Sequence, residues 1–378
     1  MEDKIHIVHV IYRFDTGGLE NGIVNIINGL DANLYTHSIV TLNGHSEKFA
    51  ARLNRPVKIY CLDKKPGKDL HVFIRAYKLF RQLQPDIVHT RNFATIELQL
   101  SAFLASVPYR IHGEHGWDIQ DPKGDVKKYQ VMRKLLSLII HKFVPLSQDL
   151  ERYLTMRVGI AAKKITRICN GVNIERFKTV TPTKGTGFEW ASDEAFIIGA
   201  VGRLEKIKDH FNLIKAYGLT TQTDKSSYQN SRLVIAGEGS QRAELEKLIH
   251  NEKLENNVVL LGDRSDIPQI MKHFNLFVLP SKAEGISNTI LEAMACDLPV
   301  VATNVGGNPD LVDDNVTGKI VPSEDPQSLS NAMLNYLQDK ALAKQHGIAG
   351  GQRVKTNFSI EAMLQNYDDL YQNRQKNA

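Results

Sequence analysis

Two carboxylates eight positions apart bound the stretch Glu284-Gly-Ile-Ser-Asn-Thr-Ile-Leu-Glu292. An apolar run at 276–280 precedes it and has the pattern of a buried strand. A helical stretch follows, with Ile290, Leu291, Met294 and Ala295 at helical spacing. A second apolar run at 299–302 and the turn Gly306-Gly307 complete a strand, loop, helix, strand crossover. In such a unit ligands bind at the strand's carboxyl end. A helix starting there aims unpaired N–H groups and its positive dipole end at the same spot, which suits a diphosphate. Carboxylates beside an anion are costly unless they accept hydrogen bonds from hydroxyls, as on a sugar or ribose. The backbone of Gly285, Ile286, Ser287 and Asn288 lies along the same loop. For Glu292 two readings stand: a ligand contact, or the partner of Thr289 in a capping box. Ser287, Asn288 and Thr289 are each able to cap the helix.

A second apolar run, 196–202, opens directly into Arg203-Leu-Glu-Lys-Ile-Lys208. Arg203 and Lys208 put two cations at another strand's carboxyl end, where they could neutralise a diphosphate. Arg offers two-point contact and Lys a compact charge. Arg264 follows a further strand and glycine. Near the N-terminus, Asp15-Thr-Gly17-Gly18-Leu-Glu lets backbone come close to a ligand at the start of a helix. Arg110-Ile-His112-Gly-Glu-His115-Gly-Trp-Asp118 closes another strand and leaves either His112 or His115 as the site histidine. There is no Asp-x-Asp and no His/Cys cluster with ligand spacing, so no metal is expected.

These residues need scaffolds. In the first half, strands are predicted at 5–11, 38–42, 57–62, 87–89, 109–112 and 143–146, with helices at 20–30, 70–83 and 93–105. The alternation predicts a doubly wound, mostly parallel sheet. A polar stretch at 179–192 reads as a linker. The pattern then repeats, with a polar loop expected at 220–231 and helix from 326 to about 374. The domains are thus predicted at 1–180 and 181–357. At 378 residues, 42% hydrophobic and 24% charged, the chain has the composition of a soluble two-domain protein. Three scattered cysteines offer no disulfide framework. The opening run at 5–11 is too short for a secretory signal, and no apolar run nears the ~20 residues of a membrane span. A net charge of +5 does not demand nucleic acid. Residues 124–143 form a basic amphipathic stretch, either a surface helix with a solvated face or one that meets anionic lipid.

The paired glutamates, Ala293-Met-Ala, Pro299-Val-Val-Ala and Gly306-Gly307 together resemble the donor-site signature of retaining glycosyltransferase family four. Nearly the whole chain is similar to that family, most closely in the C-terminal half, and within it to exopolysaccharide-associated bacterial sugar transferases. Asn170-Gly-Val-Asn173 with Phe177 resembles its segment at the exit from the first domain. Two positions depart from the pattern: Asp297 replaces Gly, and Asp310 replaces Glu.

The resemblance implies a GT-B fold, two Rossmann-like domains facing a central cleft, with an α/β architecture and a helix at 358–374 crossing back onto the first domain. It implies an N-terminal acceptor domain and a C-terminal donor domain. It implies a hexosyl or N-acetylhexosaminyl transferase that uses a nucleoside-diphosphate sugar as co-substrate, needs no cofactor or metal and retains anomeric configuration. Glu284, His115, Arg203 and Lys208 would be catalytic. Gly17, Gly18, Arg203, Lys208, Arg264, Glu284, Gly285, Ile286, Ser287, Asn288 and Glu292 would bind the donor. UDP-linked sugars are expected ahead of GDP-linked ones, with a saccharide or lipid-linked acceptor. The expected location is cytoplasmic, at the inner face of the plasma membrane. Two alternatives share the architecture: a nucleotide-sugar epimerase, and a non-catalytic nucleotide-sugar-binding partner. A nicotinamide oxidoreductase is disfavoured because no Gly-x-Gly-x-x-Gly follows the first strand.

Overall fold

The structure is a computed structural model that describes residues 4–117, 121, 124–182, 195–223 and 230–373. The chain divides into two compact units: residues up to 171 together with those from 360 onward, and residues 172–359.

The first unit is built on six strands: β1 (Ile5–Ile11), β2 (Tyr35–Thr41), β3 (Lys58–Cys61), β4 (Ile87–Arg91), β5 (Tyr109–Glu114) and β6 (Lys142–Pro145). They pair in the order β3-β2-β1-β4-β5-β6, every pair parallel. Strands covered on both faces read as near-continuous apolar runs, which is why β1 stands out in the sequence. Val8, Val10, Val40 and Val88 pack on one face against the helix His71–Leu83. Ile7, Ile87 and Ile111 pack on the other with Met363, Tyr367, Leu370 and Tyr371 of the helix Ile360–Gln372.

The second unit repeats the plan with β7 (Phe196–Val201), β8 (Ser231–Ala236), β9 (Val258–Gly262), β10 (Leu276–Leu279), β11 (Val300–Thr303) and β12 (Gly318–Val321). Their order is β9-β8-β7-β10-β11-β12, again all parallel. Both sheets are therefore Rossmann-like and doubly wound. The strand order reverses between β1 and β4 and between β7 and β10, and crevices that take ligands open at such points. Among the described residues no helix is long and apolar enough to cross a membrane.

Several sequence expectations change. The segment 220–231 is not a polar loop at either end. Thr220 is buried in the helix His210–Thr223, its hydroxyl donating to the Tyr217 carbonyl at 2.6 Å, and buried Ser231 begins β8. Residues 224–229 lie outside the described residues, as does most of the expected linker. The basic stretch at 124–143 is helical only over Lys127–Leu136 and turns into β6. Residues 93–105 form two short helices, Phe93–Ile96 and Leu98–Leu104.

Candidate functional site

In the second unit the site grows from the loops that leave β7 and β10 at the reversal point. After β7 the backbone makes a 3-10 turn at Lys206–Lys208 and enters Asp209 in the left-handed region, φ 49°. After β10, Lys282 ties this loop down. Its backbone N–H donates to the Ile207 carbonyl at 2.8 Å. Its ammonium lies 2.5 Å from Glu324 and 3.7 Å from Asp209. The two loops so joined bring Lys208 Nζ to 2.6 Å from Glu284 Oε1. The Glu284 side chain is only 10% exposed, which leaves one edge of the carboxylate open.

Gly306 explains the Gly-Gly turn. It adopts φ 52°, and a Cβ there would lie 1.8 Å from the Glu284 carbonyl oxygen. Gly307 N–H then donates to the Gly285 carbonyl at 2.8 Å. Both conditions exclude a side chain at 306.

The helix after Glu284 spans Asn288–Ala295, and Ser287 is its N-cap, the hydroxyl accepting from Ile290 N–H. That cap rules out the Thr289–Glu292 capping box, because Thr289 already lies inside the helix. Glu292 is left as a partly buried carboxylate on the second turn. Burial pushes its carboxyl up to about 7, while Arg176 opposes the rise. Arg176 belongs to the short helix Ile174–Lys178, which packs against the helix bearing Glu292. Asn288 lies in the first turn and Ile286 is buried beneath the loop.

Arg203 leaves β7 exposed and joins no ion pair among the described residues. Arg264 pairs with a near neighbour: Nε and NH2 donate to the two Asp266 oxygens at 2.8 and 2.6 Å. Asp297, the first departure, sits at φ 57° directly after the helix C-cap. Asp310 lies in the short helix Asn308–Leu311, where its carbonyl accepts from Arg353 at 3.0 Å.

Gly17, Gly18, His112 and His115 belong to the first unit. Gly17 is the N-cap of the helix Gly18–Gly29, extended and without a side-chain cap, and the Glu20 carboxylate folds back over it, accepting from its own backbone N–H. His112 is fully buried, with Nδ1 2.8 Å from the Thr90 hydroxyl and Nε2 3.4 Å from Glu114. His115 is only partly buried, and its backbone N–H donates to Asn92 Oδ1 at 2.8 Å. Burial first, and then Arg91, lower the His115 pKa to about 3, so the ring is neutral. Nε2 of His112 and Nε2 of His115 are both buried without a hydrogen-bond partner among the described residues, so both rings are candidates for the site. Asp118 lies outside the described residues.

Three residues carry more than their sequence context suggested. Asn92 holds the His115 backbone. Arg91, 1% exposed at the end of β4, donates to His9 Nδ1 at 3.0 Å and to His89 Nδ1 at 3.3 Å. With Nδ1 accepting, His9 carries its proton on Nε2 and donates to His37 Nδ1 at 3.0 Å. Ser281, directly after the strand end, donates to Glu284 Oε1 at 2.6 Å. The available signal was polar residues interrupting an apolar run at a strand's carboxyl end.

Comparisons with known proteins fit this geometry. Residues 16–176 match the family description "Glycosyltransferase Family 4", and residues 188–353 match "Glycosyl transferases group 1". The chain is 29% identical over 313 residues to an Escherichia coli UDP-Gal:alpha-D-GlcNAc-diphosphoundecaprenol alpha-1,3-galactosyltransferase, covering 80% of this chain and 79% of that one. It is 27% identical to the capsular polysaccharide biosynthesis glycosyltransferase CapM of Staphylococcus aureus, covering 80% of each. In fold it is similar to a glycosyltransferase from Rickettsia africae, with TM-score 0.82 and 23% identity over the full length of both. It is also similar to Anabaena Alr3699/HepE, solved with UDP, with TM-score 0.80 and 19% identity over 97% of this chain and 99% of that one. Two matched halves that together span most of the chain, two doubly wound sheets and relatives along four fifths of its length lead to one assignment: the chain is a glycosyltransferase and belongs to the GT-B glycosyltransferases of family four.

Proposed function

We propose that the protein moves a hexose or N-acetylhexosamine from a UDP-sugar to a saccharide or lipid-linked acceptor in bacterial surface-polysaccharide assembly. The observation that carries this reading is the Lys208–Glu284 pair at the β7/β10 reversal, beside the start of the Asn288–Ala295 helix. It sets a cation, a helix N-terminus and a carboxylate side by side, as a diphosphate joined to a polyhydroxyl ring requires. UDP is placed ahead of GDP because the E. coli relative's name specifies UDP-Gal and the Anabaena neighbour holds UDP. The second unit takes the donor and the first takes the acceptor.

In this reading the bond from the anomeric carbon to the diphosphate breaks and one to an acceptor hydroxyl oxygen forms with retention. The hydroxyl proton ends on the departing diphosphate. Lys208 and Arg203 stabilise the charge that grows there, without a metal. Glu284 accepts from sugar hydroxyls and Glu292 from ribose hydroxyls. Neutral His115 bonds the sugar, and Gly17, Gly18 and the loop 285–288 offer backbone amides. Transfer to an added acceptor separates this reading from an epimerase or a non-catalytic binder. Nucleotide binding comes first: thermal stabilisation by UDP, GDP, ADP and NAD in one panel, where a ligand at ~100 times its Kd adds about 2.7 kcal/mol. A shift with NAD and none with UDP or GDP would overturn the proposal.

We further propose contact with an anionic membrane at the cytoplasmic face through Lys127–Leu136 and the turn after it. The helix buries Arg133, bonded by two nitrogens to Glu114, and turns Val131 (56% exposed), Leu135 (62%) and, just beyond, Leu138 (79%) outward. Lys127 and Lys128 stand in its first turn, where cations oppose the helix dipole, so their placement favours an anionic surface over helix stability.

A further inference from the structure

We propose that Ser281 is a positioning residue for recognition of the donor sugar: with Lys208 it fixes one oxygen of Glu284, so that the other is presented to the sugar's hydroxyls. The inference rests on the donor-site reading above and deepens it.

Ser281 is fully buried just past β10. Its hydroxyl and the Lys208 ammonium each lie 2.6 Å from the same atom, Glu284 Oε1. Ser281 is itself held from behind, its carbonyl accepting from Thr303 Oγ1 at 2.6 Å at the end of β11. The Glu284 backbone is pressed by Gly306. The residue is thus held at its carbonyl and at one carboxylate oxygen. A carboxylate has about four acceptor positions. Two donors on Oε1 leave those on Oε2 open, and no donor among the described residues bonds it. An oxygen so oriented can accept from two neighbouring hydroxyls of a pyranose ring.

Lys208 alone could not set this orientation. An ammonium is a compact charge on a flexible stem, and it pairs with either carboxylate oxygen from many directions. A buried hydroxyl on a clamped backbone has one direction. Ser281 therefore acts on the sugar end of the donor, while Lys208 also serves the diphosphate end.

The test compares wild type with Ser281→Ala by calorimetric titration of UDP, GDP, UDP-glucose, UDP-galactose, UDP-N-acetylglucosamine and GDP-mannose. Wild type should bind one nucleotide and prefer one of its sugars. Ser281→Ala should bind that free nucleotide within about twofold of wild type. Its preference for the sugar nucleotide over the free nucleotide should fall about tenfold or more, the scale of one hydrogen bond to a charged group. An unchanged preference would overturn the role. Loss of free-nucleotide affinity in equal measure would overturn it too, because the serine would then serve the fold of the loop. If wild type binds none of the probes, the donor-site reading fails first and the inference falls with it.

Discussion

Lys208 and Glu284 lie 76 positions apart in sequence, yet their charged groups sit 2.6 Å apart with side chains 20% and 10% exposed. A pair this sheltered is unequal to its halves. Removing one partner strands the other charge, whereas removing both costs less. Lys208→Met should lower unfolding stability by about 1–3 kcal/mol and cut transfer by ~10²-fold or more. Lys208→Met with Glu284→Gln should recover part of the stability and none of the transfer. Denaturant unfolding and a transfer assay on the three variants would check this, and additive stability losses would mean the pair is not coupled.

Arg203 gives the opposite pattern. It is exposed and unpaired among the described residues, so Arg203→Ala should leave the unfolding midpoint within about 0.5 kcal/mol of wild type. Transfer should fall by ~10²-fold. Near-normal transfer would take Arg203 out of the site.

Glu292 links pH to both stability and binding. A carboxyl raised to about 7 binds its proton more tightly in the folded chain than in the unfolded one. The stabilisation this supplies is complete below the ordinary glutamate value of 4.5 and is lost as pH rises through about 7. Glutamine never ionises. Glu292→Gln should therefore gain on wild type in unfolding free energy between pH 5 and pH 8, by on the order of 1–3 kcal/mol. Nucleotide affinity should fall ~10-fold or more in the same variant, and in wild type it should rise with pH through 7. A difference that does not change with pH would show that Glu292 is ionised throughout.

The outward apolar face of Lys127–Leu136 predicts association with vesicles. Wild type should pellet with vesicles containing phosphatidylglycerol at low salt and release as ionic strength rises. Leu135→Ser with Leu138→Ser should abolish pelleting while unfolding stays within about 1 kcal/mol, because both side chains are already exposed. Pelleting equal to wild type would remove this face as the contact.

Asp297 holds a left-handed backbone conformation at φ 57° that glycine adopts without penalty. Asp297→Gly should stabilise the second unit by about 0.5–1 kcal/mol, reduced by the loss of the Lys178 contact at 4.0 Å. Gly347→Ala should do the reverse, since its Cβ would lie 2.0 Å from the Asp297 carbonyl oxygen. Thermal melts of the two variants would separate these effects.

The strands were legible because doubly covered parallel strands leave long apolar runs, as at 5–11 and 300–303. The Glu284 loop was legible because its residue types lie close together in sequence. The Lys208–Glu284 contact was not, because it depends on β7 and β10 being neighbours, a fact of strand order that no local pattern carries. Helical spacing at 131, 135 and 138 revealed a stripe without saying which way it faced. That was decided by Arg133 finding Glu114 on β5. Arg91 was missed because a strand ending His-Thr-Arg reads as the start of a loop, and its burial depends on His9, which lies 82 positions away on β1. Ser281 gave no signal, since a serine after a strand is an ordinary turn residue.

The helix Ile360–Gln372 completes the first unit's core, yet the whole second unit precedes it in the chain. Tyr371 reaches back across 282 positions to place its hydroxyl 3.0 Å from His89 Nδ1, and Tyr35 donates to Asp368 at 2.6 Å. During synthesis the second unit, contiguous from 172 to 359, can close on its own. The first must wait with Ile7, Ile87 and Ile111 only partly covered, by Ile26 and Leu30, on one face of its sheet. The half made first is therefore the half finished last, and that open sheet face is where a nascent chain of this protein would need a chaperone's protection.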